Sequence, residues 1–289
     1  MKVLKLASLL LFILTVNVFA QGKKEIKEYF DSGKLKKEGF KDADGNQVGL
    51  WKLYYENGKL NAFVNFESGK AEGEAKEFYD DGNLYAVMVY KEGQMYGDYK
   101  KYHKNGKLAT TAYYKNGKAE GDYKTYYESG AKKVVEKYAT GKPIGEATEY
   151  YEDGKPKENI KRNGTQMIEH TYYYDNGNKD QELKYKTEDT AYEKLFYRNG
   201  NLESEGMMYY PEKEEEQEEL GKEVQRGFWK YYFENGKLKG EGDYSDVGKK
   251  DGTWKLYTDK GMLRQVVVYK FGTEWEVLEK YDENGKRIK

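Results

Sequence analysis

Apolar and polar side chains change places along this chain every few residues, in runs too short for a helix. From Trp51, "WKLYYE" and then "KLNAFVNF" are rich in aromatic and β-branched residues, with Asn57-Gly58 between them. Runs of that length and make-up, bounded by a Gly turn, read as the two strands of a β-hairpin. "ESGKAEG" then leads into another pair of runs, so successive hairpins join through a second Gly turn. No stretch sustains the 3.6-residue period of a helix. The expected fold is all-β, an elongated single-layer antiparallel meander.

The hairpins repeat. A leading Gly recurs at Gly49, Gly73, Gly97, Gly121 and Gly145, four steps of 24 residues. A turn Gly, nine residues later, recurs at Gly33, Gly58, Gly82, Gly106, Gly130, Gly154, Gly177, Gly200, Gly236, Gly261 and Gly285, which makes eleven copies with the last truncated. The step between copies is 23 to 25 residues except for one of 36 between Gly200 and Gly236, so one insertion interrupts the array. Such a period marks a repeat architecture in which each copy buries its apolar side against its neighbours.

Four residues before each turn Gly stands an aromatic: Tyr29, Tyr54, Phe78, Tyr102, Tyr126, Tyr150, Tyr173, Phe196, Tyr232, Tyr257 and Tyr281. Equal positions of stacked hairpins align, so these residues are expected to form one column, the glue of the array or its binding surface. A looser column comes from the returning strands, at Phe66, Tyr90, Tyr114, Tyr138, Tyr185, Tyr244 and Tyr269. Which face the first column occupies depends on the turn. With a two-residue Asn57-Gly58 loop, Trp51, Leu53, Tyr55, Leu60, Ala62, Val64 and Phe66 share one face and Tyr54 lies opposite, among Lys52, Glu56 and Lys59. With a three-residue loop and a bulge, Tyr54 joins Leu60 and Phe66.

Composition narrows the function. The chain carries 50 basic and 51 acidic residues, and nucleic-acid binding, which calls for a basic surface, is not expected. The 31 Tyr, 11 Phe and 4 Trp supply core material that a disordered chain with 35% charged residues would lack. The first twenty residues follow another chemistry. Lys2 and Lys5 precede an apolar run from Leu6 to Val16, and Val18-Phe19-Ala20 offers small residues to a signal peptidase. Residues 1–20 therefore read as a signal peptide, and 21–289 as the exported array, whether periplasmic, surface-bound or secreted. After cleavage no transmembrane span is expected, the apolar run itself being short of a bilayer's thickness.

No enzyme is expected. The chain has no Cys, and His103 and His170 stand in different copies, His103 where other copies have Tyr55 or Tyr79. Both read as histidines satisfied within the repeat lattice. No HExxH, GxSxG or phosphate-binding glycine loop occurs, so neither cofactor nor metal is expected. The insertion, "PEKEEEQEELGKEVQ" from Pro211 to Gln225, reads as a solvated, disordered acidic loop. Pro156 replaces the Leu that follows the turn in other copies, and a bend is expected near 156–190.

"GLWKLYYENGKL", "GFWKYYFENGKLKGEGDY" and "GTWKLYTDKGML" resemble the bacterial variant of the MORN repeat, over nearly all of residues 24 to 289. The resemblance implies an elongated β-sheet platform for interactions, and similarity to antitoxin-type members would imply binding and blocking a toxic protein. The expected function is an exported, non-catalytic scaffold that engages a protein partner through its Tyr-rich sheet. The alternative is a binder of glycan or envelope polymer, in which an aromatic row stacks on repeating sugars.

Overall fold

The protein is described here by a computed structural model that covers residues 22–289; the signal sequence expected from the N-terminal residues lies outside the described residues. Twenty-three strand segments form one sheet, each antiparallel to its neighbours in sequence. Two of them, Lys70–Ala71 and Gln94–Met95, are short pieces that lead into Gly73–Phe78 and Gly97–Tyr102. Joined to those strands, they leave ten hairpins and the opening strand of an eleventh copy. Lys24–Tyr29 pairs with no strand but Leu35–Lys41, and Thr273–Lys280 with no strand but Leu263–Lys270, its end Lys280 also bonding to Ile288 and Lys289, so the sheet stays open among the described residues.

In the regular copies, such as the one from Gly49, the turn within the hairpin is the wider of the two turns. Tyr55 N donates to Lys59 O and Gly58 N to Tyr55 O, both at 2.8 Å, which encloses Glu56-Asn57-Gly58. Gly58 takes the left-handed conformation (φ 87°) that closes such a three-residue loop. Asn57 serves through its side chain. Its Oδ1 accepts from Lys59 N at 2.9 Å, and its Nδ2 donates to Asp80 O of the next turn at 2.8 Å. The two-residue turn is the connection between copies. Ser68 and Gly69 both have positive φ there (46° and 81°), the mark of a type I′ turn, between the paired residues Glu67 and Lys70.

Each of the two sequence alternatives is half realised. The three-residue loop sets Tyr54 opposite Leu60, but Leu53 then pairs with Ala62, leaving Asn61 without a partner. This extra residue returns the strands to the register of a two-residue loop. Trp51, Leu53, Ala62, Val64 and Phe66 therefore share one face, called the core face below, and Tyr54 belongs to the other, outer face. All ten hairpins carry the same irregularity beside the column aromatic, as between Glu77 and Phe78 or Tyr231 and Tyr232.

The core lies seven residues before the turn Gly, not at the column four residues before it. Across neighbouring strands the core face reads Gly39, Trp51, Val64, Ala75, Met88, Tyr99, Ala112, large side chains set against small ones. Trp51, Trp229 and Trp254 are 2%, 0% and 1% exposed. Each lies over a glycine of the preceding strand, where a Cβ on Gly39, Gly206 or Gly242 would come within 2.4 Å of the ring. The looser column packs on this same face, with Phe66, Tyr244 and Tyr269 edge-on to tryptophans at 6.3, 5.2 and 6.1 Å.

The acidic insertion is ordered rather than a disordered loop. Glu214–Leu220 forms a short helix with three glutamates in its first turn, where the helix dipole favours negative charge. Tyr209 Oη donates to Glu216 at 2.8 Å, and Gln217 Nε2 to Pro211 O at 2.6 Å. The lattice resumes at Val224, which is 2% exposed, so the last two residues of the expected insertion belong to the strand Val224–Tyr232. Pro156 opens the strand Pro156–Asn163 opposite Tyr150, a place where the missing N–H is tolerated. Pairing runs on through residues 156–190, where the departure from the repeat is a wider loop closed by Lys186 N to Thr190 O at 2.8 Å.

Candidate functional site

On the outer face the strand sequences "GEAKEF", "GDYKKY" and "GDYKTY" set an acid, a lysine and an aromatic in a row, two residues apart. Lys76 pairs with Glu74 and Lys124 with Asp122, each at 2.9 Å, and these exposed pairs add little stability. The column aromatics stand at the inner end of each row. Tyr29 is 57% exposed and the other ten are half-buried. Among the described residues no ring contact joins two members of the column. A spacing of two strands, about 9.6 Å, separates them, and they pack instead on strand neighbours, as Phe78 does on Phe63 at 6.2 Å.

What the hydroxyls meet divides the column. Tyr54 donates to Glu38 at 2.6 Å, Tyr232 to Glu205 at 2.8 Å, Tyr257 to Glu241 at 3.0 Å and Tyr281 to Glu279 at 2.7 Å. Burial, and then the Glu38 carboxylate, push the Tyr54 phenol up to about 12. Burial pushes Glu205 up, but the hydroxyls of Tyr232 and Tyr192 together with the Lys194 ammonium outweigh it and hold the carboxyl below its usual range. Tyr173 accepts from Asn159 at 3.0 Å. In the central copies the hydroxyls of Tyr102, Tyr126 and Tyr150 have no protein partner among the described residues. Three consecutive copies thus present half-buried rings with free polar tips.

Behind the column runs a ladder that the sequence reading missed. Tyr55 Oη donates to Phe78 O at 2.7 Å, Tyr79 to Tyr102 O at 2.8 Å, Tyr127 to Tyr150 O at 2.6 Å and Tyr151 to Tyr173 O at 2.7 Å. Tyr174 and Tyr197 continue it to Phe196 O and Tyr232 O, both at 2.8 Å. His103 fills the rung of its copy, with Nε2 2.9 Å from Tyr126 O. It is the lattice histidine that its alignment with Tyr55 and Tyr79 indicated. His170 lies in the core row, 7% exposed, with Nε2 2.5 Å from Glu158 Oε1 and its ring 4.2 Å from Tyr172. The two histidines belong to different copies and serve different contacts.

Six stretches, residues 47–69, 71–92, 95–116, 143–160, 190–210 and 227–246, match the family described as MORN repeat variant. No curated protein matches the chain. Among solved structures, the Tc holotoxin pore of Photorhabdus luminescens is 11% identical with a TM-score of 0.16, over 93% of this chain and 18% of that one. A porin-like protein from Bacteroides uniformis is 12% identical with a TM-score of 0.17, over 88% and 93%. The chain thus spans less than a fifth of the length of the first.

Proposed function

Because the chain is a MORN-repeat protein, we propose that it is an exported, non-catalytic scaffold whose outer face holds a polypeptide partner. The observation that carries this reading is the trio Tyr102, Tyr126 and Tyr150, whose hydroxyls face outward unpaired beside rows of lysines and acids. Tyr offers a large amphipathic contact at low entropic cost, which suits protein recognition. The glycan alternative draws no support from the tryptophans, since the rings of Trp51, Trp229 and Trp254 are buried on the core face, and Trp275 carries Lys270 Nζ 3.9 Å from its ring centre.

The experiment is capture from an envelope extract by the mature chain and by a variant carrying Tyr102→Ala, Tyr126→Ala and Tyr150→Ala, alongside a polysaccharide array. A protein retained by the first and lost from the second supports the reading. Array binding lost in the variant, without any such protein, would replace it with the glycan reading. An immunity-like role adds one requirement, that co-expression of the chain relieve the toxicity of the captured protein. Export is checked by intact mass: the mature N-terminus should be Gln21.

A further inference from the structure

The copies that hold Trp229 and Trp254 enclose, on the core face, a recess of about 240 Å³ bordered by Tyr231, Gly240, Tyr244, Trp254 and Leu256. Two lysines stand at it, Lys239 and Lys250. Lys250 Nζ lies 4.2 Å from the centre of the Trp254 ring and 5.1 Å from that of Tyr269, and no carboxylate pairs with either lysine among the described residues. Burial, and then the Lys239 ammonium, lower the Lys250 pKa, the behaviour of a cation that lacks a counter-charge. The repeat does not require this arrangement. At the place of Lys250 the earlier copies have Gln47, Ala71, Met95, Ala119 and Pro143.

We propose that this recess binds a carboxylate on an apolar stem, the side chain of a glutamate or aspartate in an acidic segment of the polypeptide partner. The inference rests on the reading that the partner is a polypeptide, and adds a second contact on the face opposite the tyrosine column. Its lining decides the chemistry. An ammonium has three donors and no acceptor, and the hydroxyls of Tyr231 and Tyr244, 2.9 Å apart, already share one hydrogen bond. Lys239 and Lys250 can only donate, and one of the two tyrosine hydroxyl hydrogens remains to be given, so the recess offers an excess of donors that matches a group that only accepts. A sugar brings many hydroxyl donors and would find no carboxylate or amide in the recess to receive them. The Trp254 ring, 1% exposed, leaves no flat surface on which a pyranose could stack.

The test uses the chain from residue 21 to 289 and three probes followed by calorimetry: a blocked peptide containing Glu-Glu, its Gln-Gln counterpart, and an oligogalacturonate. The acidic peptide should bind, about tenfold more weakly to Lys250→Gln and with near-native affinity to Lys250→Arg, and more weakly still as salt screens the pair. The Gln-Gln peptide should not bind, and Lys194→Gln, on the outer face, should bind the acidic peptide as the unaltered chain does. Equal affinity of the acidic peptide for the unaltered chain and for Lys250→Gln, or no binding at all, overturns the proposal. So does oligogalacturonate binding that Lys250→Gln abolishes while peptide binding is untouched, because the carboxylate would then belong to a glycan. Thermal unfolding of each variant separates lost binding from lost fold. The outer-face trio remains intact throughout, so failure here leaves the scaffold reading to its own test.

Discussion

Gly206 and Trp229 are one packing unit shared by two copies: a Cβ on Gly206 would come 2.3 Å from the indole. Gly206→Ala should therefore cost about 1–3 kcal/mol through overpacking, although it adds only a methyl group. Combined with Trp229→Leu, the alanine should cost far less than it does alone. Urea unfolding of the two single variants and the double variant gives the coupling. Additive losses would show that the contact does not hold the copies together.

The column and the core make opposite predictions for two aromatics. Trp229→Ala should cost about 3–5 kcal/mol, the range for deleting a buried aromatic. Tyr126→Ala, half-buried on the outer face, should cost about 1 kcal/mol, since little of its burial is lost. Equal losses in denaturant midpoint would return the column to the structural role that its regularity suggests.

The ladder can be extended. Phe233 occupies the rung after Tyr197, in register to reach Tyr257 O, and has no hydroxyl to donate. Phe233→Tyr should add about 0.5–1.5 kcal/mol, the net value of a hydrogen bond, and Tyr127→Phe should lose as much. Matched thermal scans of the two variants check the pair; a gain from neither hydroxyl would make the rungs incidental.

Glu193 ties stability to pH. It is 2% exposed, in the core row between Leu183 and Gly206, with Oε1 2.5 Å from Gln181 Nε2 and Oε2 without a partner. Burial raises its pKa, with Gln181 opposing and Glu223 adding to the rise. An unfolded glutamate titrates near about 4.3. The folded value is the higher one, so this group's contribution is fully present below that pH and is lost as pH climbs through the folded value. Glu193→Gln should stabilise the chain at pH 8 more than at pH 5. A denaturant midpoint shift that is the same at both values would contradict the assignment.

Much of the fold was legible because glycine marks the turns directly. The eleven turn glycines, the first Gly33 and the last Gly285, all have positive φ, and ten hairpins follow from their spacing. The register was not legible, because it depends on Asn61 and its equivalents, extra residues that no side-chain pattern distinguishes. The three-residue loop alone would bring Tyr54 to the core face, and the bulge returns it to the outer one, so the turn does not by itself reveal the core. One signal could have found it: Gly39 lies twelve residues before Trp51, and Gly242 twelve before Trp254. The recess at Lys250 was beyond reach, since its walls come from three strands and the sequence sets its lysine among forty-nine other basic residues.

The consecutive strand order has a mechanical consequence. Each strand is bonded only to its neighbours in sequence, so a pull on the two ends of the array loads the hydrogen bonds one strand at a time, as a zip opens, rather than all together in shear. Each 24-residue copy would then release roughly 80 Å of chain at low force, from the reach of an extended backbone. Stretched between two anchoring points, such a protein would yield in steps and re-form by the same turns, a tether that lengthens rather than snaps.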